Sequence, residues 1–266
     1  MSTPTPLIPP VNAGLLYVNG LQVSAGALTA PGLVVSTTLT ISAGQARDVN
    51  DVNDIEIEAA VTLNTAVAGV VNGLDQGALA ATTLYAVYVI ADSTDYRPAG
   101  TLLSTSFTAP LLPFGYDMFR RIGTVLSNAA ATGILNFHQR GNGSVRNTYY
   151  AVPLATAIVA GQSAIFADVL LTTWVPTTAS RVQILSALTS DAGGTRTVVY
   201  SADRSTTIAA AATAGEVIMS SPASTVTSAS LSVPVTSLAA VQTIQYAVSN
   251  AAAAVAVSVQ GFEDAL

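Results

Sequence analysis

Apolar and small polar residues alternate through much of this chain. In Asp54 to Leu63, Ile55, Ile57, Ala59, Val61 and Leu63 share one face, with Glu56, Glu58 and Thr62 opposite. Around Val34 to Ser42, Val35, Leu39 and Ile41 fall with Thr37, against Ser36, Thr38, Thr40 and Ser42. Ala229, Leu231, Val233 and Val235 alternate with serines, and Val255, Val257 and Val259 with Ala256, Ser258 and Gln260. A side-chain period of two belongs to half-buried strands, and the Val, Ile and Thr that fill these runs suit a pleated surface. Asn19-Gly20 between apolar flanks predicts a hairpin over Tyr17 to Val23. Helical patterning is confined to short stretches near Asn64–Leu74 and Ala209–Gly215. The expectation is an all-β chain of two β-sandwich or barrel-like domains, with turn residues spaced as such folds require. A Pro-rich extended arm spans 1–14, an N-terminal β domain 15–146, and a C-terminal β-sandwich 147–266. The last division is placed where Gly141-Asn142-Gly143-Ser144 precedes a simpler Ala/Ser/Thr/Val composition.

The same alternation explains a mean hydropathy of +0.53 without a membrane span. The longest apolar stretch, Ala78 to Ala91, is broken by Thr82 and Thr83 and is short of the about 20 residues a spanning helix needs. The opening residues carry no basic start and no apolar block, so no secretory signal and no membrane insertion are expected. Only 9% of the 266 residues are charged, and the formal net charge is −6. All basic side chains are arginine. An acidic chain without lysine is a poor partner for nucleic acid. With no cysteine, and His138 as the single histidine, a thiol nucleophile, a zinc ribbon and a His-dependent triad are excluded or disfavoured, and no cofactor is expected.

The charge that remains is concentrated. Asp48, Asp51, Asp54, Glu56 and Glu58 fall within eleven residues. Their spacing is not that of an EF-hand loop. A solvated turn leading into a strand with a charged outer face accounts for them, with an intersubunit contact to an arginine-rich segment as the next reading. Glu56 and Glu58 share a strand face, as any charged alternating strand would provide, so a glycoside-hydrolysing pair is a remote reading. Arg120, Arg121, Arg140 and Arg146 form the arginine-rich segment. In Arg120-Arg121 one guanidinium is expected on each strand face, one of them partly buried and paired with Asp117, Asp95 or the acidic cluster. His138 is expected with Asn136 and Arg140 on a solvent or contact face. Asp48, Asp51, Asp54, Arg120, Arg121, Arg140 and Arg146 are therefore the assembly-contact candidates. A glycan-binding groove would draw on Tyr85, Tyr88, Tyr149, Tyr150 or Trp174.

An ordered series of segments adds to this. Ile41-Ser42-Ala43-Gly44-Gln45-Ala46-Arg47-Asp48, Gly73-Leu74-Asp75-Gln76-Gly77, Leu84 to Ile90 and Ser104 to Ala109 lead into Ala109-Pro110-Leu111-Leu112-Pro113-Phe114-Gly115-Tyr116 and Phe119-Arg120-Arg121-Ile122-Gly123. The series resembles a family of tailed-bacteriophage virion proteins described as tail-fibre-like or structural. Its most specific part is an APxLPxGYxxxRRIG pattern. The resemblance implies a non-enzymatic building block of the phage particle, made in the host cytoplasm and located in the virion. It implies a homo-oligomer with three-fold order favoured, other virion structural proteins as partners, and a host surface glycan as a further partner. A capsid decoration protein of the same virion is the alternative. No catalytic or receptor-binding residue follows from it.

Overall fold

The computed structural model describes residues 17–25, 35–141, 143–154, 156–202, 217–238 and 241–266. The arm over 1–14 and the helical stretch near Ala209–Gly215 lie outside them. The fold is all-β, with no helix among the described residues. The stretch near Asn64–Leu74 is strand, turn and bridge instead.

The first half begins with a meander of three bent strands. Each is interrupted midway and passes from one three-stranded sheet into another. Val18–Gly20, Gly44–Arg47 and Asp54–Ile57 pair on one side of the bend, and Val23–Ala25, Thr38–Ile41 and Val61–Asn64 on the other. Strands that turn a corner in this way let one ribbon wrap a core. Asn19-Gly20 therefore does not close a hairpin. Val18–Gly20 pairs with Gly44–Arg47, and Val23–Ala25 with Thr38–Ile41. Gly20 has a φ of +67°, and a Cβ on Gly44 would lie 2.3 Å from the Asn19 carbonyl oxygen. The two glycines thus meet where the strands cross most closely. The strand expected over 54–63 is likewise two strands. Ile55, Ile57 and Leu63 are buried as the pattern predicts, while Ala59 is exposed at the break.

Beside the meander lies a four-stranded sheet in the order Met118–Leu126, Leu84–Ala91, Gly100–Ser104, Gly73–Leu74. Leu84–Ala91 is buried on both faces, which explains its nearly continuous apolar sequence. Tyr85, Val87, Val89 and Ala91 face the main core, whereas Ala86, Tyr88 and Ile90 face a second cluster. That outer cluster is covered by Phe107, Leu112, Tyr116 and Phe119. The Ala109–Tyr116 part of the APxLPxGY pattern is thus a strap across the sheet. The Asp75 carboxylate anchors it, accepting from the Ser104 hydroxyl at 2.5 Å and the Leu111 N–H at 3.3 Å. Tyr88 donates to the Ser106 carbonyl at 2.8 Å, just ahead of the strap.

The second half is a β-sandwich. One sheet runs Phe137–Arg140, Val145–Tyr150, Ala254–Ala265, Ala179–Thr189, Val226–Pro234, and the facing sheet runs Ala167–Leu170, Val241–Val248, Arg196–Ser201, Val217–Ser221. Val182, Ile184, Val255, Val257 and Val259 from the first meet Val198, Tyr200, Ile244 and Val248 from the second. The Ser186 and Tyr200 hydroxyls join across the interior at 2.6 Å. The division expected at 146/147 falls inside strand Val145–Tyr150. Sheet membership changes earlier, at Phe137, because Val145–Tyr150 needs Ala254–Ala265 as its neighbour. One apolar cluster runs without a gap from Val18 to Phe262 through both halves.

Candidate functional site

The arginines divide sharply by environment. Arg121 and Asp264 form an ion pair of 2.6 Å with both side chains buried. Asp264 also accepts from the Thr124 hydroxyl at 2.7 Å and the Thr178 hydroxyl at 2.6 Å. Arg121 reaches the Ala265 carbonyl, and its guanidinium lies 5.8 Å from the Phe107 ring centroid. Arg120 donates to the Leu266 carbonyl at 2.8 Å. Burial pushes the Arg120 pKa below the usual arginine value, the positive Arg121 adds to this, and Asp51 opposes it. The ion-pair partner of Arg121 is therefore Asp264, at a sequence distance of 143 residues, and not Asp117, Asp95 or the acidic cluster. A bulge between Arg121 and Gly123 breaks the simple alternation. Arg120 and Arg121 both reach residues 264–266.

Arg146 is wholly buried and donates to the Gly20 carbonyl at 2.7 Å and to the Gly141 carbonyl. Burial lowers its pKa. It ties the corner of the bent meander to the second half. Arg120, Arg121 and Arg146, expected at assembly contacts, are buried and bonded within the chain. Arg140 stays exposed, over the Tyr149 ring at 5.8 Å. His138 is exposed, whereas Asn136, expected beside it, is buried.

The acidic run folds as a turn closed on itself. Asp48 is buried and accepts from the Val52 N–H at 2.7 Å and the Asn53 N–H at 3.2 Å. Arg47 pairs with Asp51 and Asp54, each at 3.3 Å. Tyr17 donates to Asp54 at 2.9 Å. Burial raises the Tyr17 pKa above its usual value, and the Asp54 hydrogen bond raises it further. No group of three or more metal-ligating side chains occurs among the described residues.

Beside this turn an open groove of about 590 Å³ is lined by Asp54, Glu56, Glu58, Asp92, Asp95 and Arg97 together with small apolar residues. Against Arg97, one of the lining residues, stand the most exposed large rings among the described residues. Tyr96 is 85% exposed and Phe114 is 94% exposed, with Leu111 on the same strap as Phe114. The Arg97 guanidinium sits 5.9 Å from the Tyr96 ring centroid and 5.7 Å from that of Phe114. It bonds the Asp92 carboxylate at 3.2 Å and the Gly115 carbonyl at 3.3 Å. Hydrogen bonds from the Thr94 hydroxyl and N–H, with Arg97 behind them, hold the Asp92 carboxyl below the usual carboxylate range. No charge cluster or strand pattern in the sequence marks Tyr96, Arg97 and Phe114 as a unit. Tyr96-Arg97-Pro98 before Gly100 and Pro113-Phe114-Gly115 are loop signatures, and large rings on loop tips were the available signal.

The rings proposed for glycan contact are placed differently. Tyr85, Tyr88 and Tyr150 are buried, and Tyr149 and Trp174 are half-buried. The Tyr150 hydroxyl donates to the Trp174 carbonyl at 2.8 Å. Glu56 and Glu58 are both exposed, on the groove.

No family model matches the chain, and no curated protein matches it. Among solved structures, it is similar to the isomalto-dextranase of Arthrobacter globiformis T6 complexed with panose, at 16% identity and a TM-score of 0.22, over 87% of this chain and 35% of that one. It is also similar to the insecticidal delta-endotoxin Cry8Ea1 of Bacillus thuringiensis, at 9% identity and a TM-score of 0.23, over 94% and 52%. The chain thus spans about a third and about half of those two proteins. Likenesses at these scores carry no argument about what this chain does.

Proposed function

We propose that this chain is a non-enzymatic structural component of a bacteriophage virion, associated with the tail or tail fibre, that acts through protein–protein contacts as a homotrimer. The observation that carries this reading is the ordered resemblance over residues 41–125, above all the Ala109–Gly123 pattern. The structural role of that pattern supports it. Ala109–Tyr116 straps the outer face of the four-stranded sheet, and Arg121 fastens the two halves together. A low charge density does little to oppose association with neighbours, which also suits a subunit of an assembly.

The test is electron microscopy of particles carrying a labelled copy. Label on the tail is the expected result. Label on capsid faces makes the chain a decoration protein, and absence from purified particles overturns the virion reading. Light scattering checks the oligomer separately. A mass three times the 26.9 kDa of the chain is expected, and a monomer would sink the trimer.

A further inference from the structure

We infer that Tyr96, Arg97 and Phe114, with the acidic groove beside them, form a docking surface for a lysine- or arginine-bearing segment of another protein. The inference rests on the assembly reading, since it takes the occupant to be a neighbouring polypeptide.

Single exposed apolar side chains need no explanation. These rings differ because they are held. Arg97 lies against both, and is itself fixed by Asp92 and by the Gly115 carbonyl. Thr94 fixes Asp92 in turn, with its hydroxyl 2.6 Å and its N–H 2.9 Å from the carboxylate. Gly115 has a φ of +87°, and a Cβ there would lie 2.0 Å from an Arg97 nitrogen, so this glycine makes the seat for the guanidinium. Tyrosine, arginine and phenylalanine are enriched at interfaces, tyrosine and arginine especially at their energetic centres. A set already held in place loses little freedom when a partner arrives.

The groove supplies the charge preference. Five carboxylates line it against one guanidinium. Arg47 neutralises Asp54 and Arg97 neutralises Asp92, while Glu56, Glu58 and Asp95 enter no ion pair among the described residues. The complementary occupant is cationic. A second copy of this chain is poorly equipped to supply that charge. It has no lysine. Arg120, Arg121 and Arg146 are buried, Arg47, Arg97 and Arg196 are in ion pairs, and Arg181 is bonded to Ser232. Arg140 alone remains exposed among the described arginines, and Arg204 lies outside the described residues.

The test is selection of a randomised dodecapeptide library on the full chain, followed by fluorescence anisotropy of the enriched peptides. These peptides should combine lysine or arginine with an apolar residue, and should bind less tightly as salt rises. Tyr96→Ser/Phe114→Ser should weaken them at least about tenfold, as loss of central aromatic anchors does. Glu56→Gln/Glu58→Gln/Asp95→Asn should weaken them several-fold, at the scale of exposed charge pairs. Enrichment of neutral or acidic peptides, or affinity unchanged in both variants, overturns the inference. So does a panel of neutral oligosaccharides binding this surface in place of peptides, or dissociation of a homo-oligomer by Phe114→Ser. The particle-labelling experiment fails independently. Tail label without peptide binding removes only this surface, whereas peptide binding by a chain absent from particles removes only the virion role.

Discussion

The side chains of Arg121 and Asp264 are both buried, so each charge depends on the other and on Thr124, Thr178 and the Ala265 carbonyl. Removing one member of such a pair leaves the other charge buried and uncompensated, which costs about 3–5 kcal/mol. Asp264→Leu is therefore expected to lower stability by about that amount in urea denaturation, and Arg121→Met added to it should recover part of the loss. The doublet Arg120-Arg121 announced that a buried cation needed an anion. It did not announce which one, because a partner 143 residues away leaves no local pattern. The buried tyrosines make a second residue-scale test. Burial, against the opposing pull of Arg121, pushes the Tyr88 hydroxyl up to about 12, and burial pushes Tyr150 and Tyr200 upward as well. A raised native pKa means the folded chain holds these protons more tightly than the unfolded chain. The stability involved is complete below the ordinary tyrosine value and declines as pH rises from there through the native values. An absorbance titration should show these three silent near pH 10 and ionising together with alkaline unfolding.

Period-two alternation revealed the strands but not their breaks. The phase of Ile55, Ile57, Val61 and Leu63 continues across the bend, and Ala59-Ala60 carry no turn chemistry strong enough to mark it. The hairpin expected at Asn19-Gly20 failed for the same reason. The dipeptide does supply a left-handed glycine, but the corner uses it to cross Gly44. Gly44→Ala drives a methyl group into the backbone at Asn19 and Leu21, with no flexible side chain to yield. A loss of about 1–3 kcal/mol is expected, measured by the shift of the urea midpoint. The loop carrying the aromatic rim responds to acid. The Asp92 carboxyl is held low by Thr94 and Arg97. Its contribution is therefore present above the ordinary aspartate pKa and lost as pH falls through the lower native value. Amide resonances of residues 93–97 should shift in that acid range, and Thr94→Val should move the transition to higher pH.

At the scale of the molecule, class and content were legible while the partition was not. Alternating strands with few charges gave an all-β chain. The division expected at 146/147 falls inside the strand Val145–Tyr150, a position that the small, polar residues before it do not reveal. The two halves share one apolar cluster and are joined by the Arg121–Asp264 pair and by Arg146 on the Gly20 carbonyl. They should unfold together. Scanning calorimetry is expected to show one transition for the native chain, whereas Arg146→Ala, which removes the hydrogen bonds to the Gly20 and Gly141 carbonyls, should separate it into two. The same long-range pairing has a consequence for biosynthesis. Arg121 leaves the ribosome 143 residues before Asp264. At about 5–20 residues per second, the nascent first half spends on the order of ten seconds with its central cation unanswered. Final closure of the body must then wait until Asp264 has emerged, and the exposed intermediate is the species a chaperone would meet.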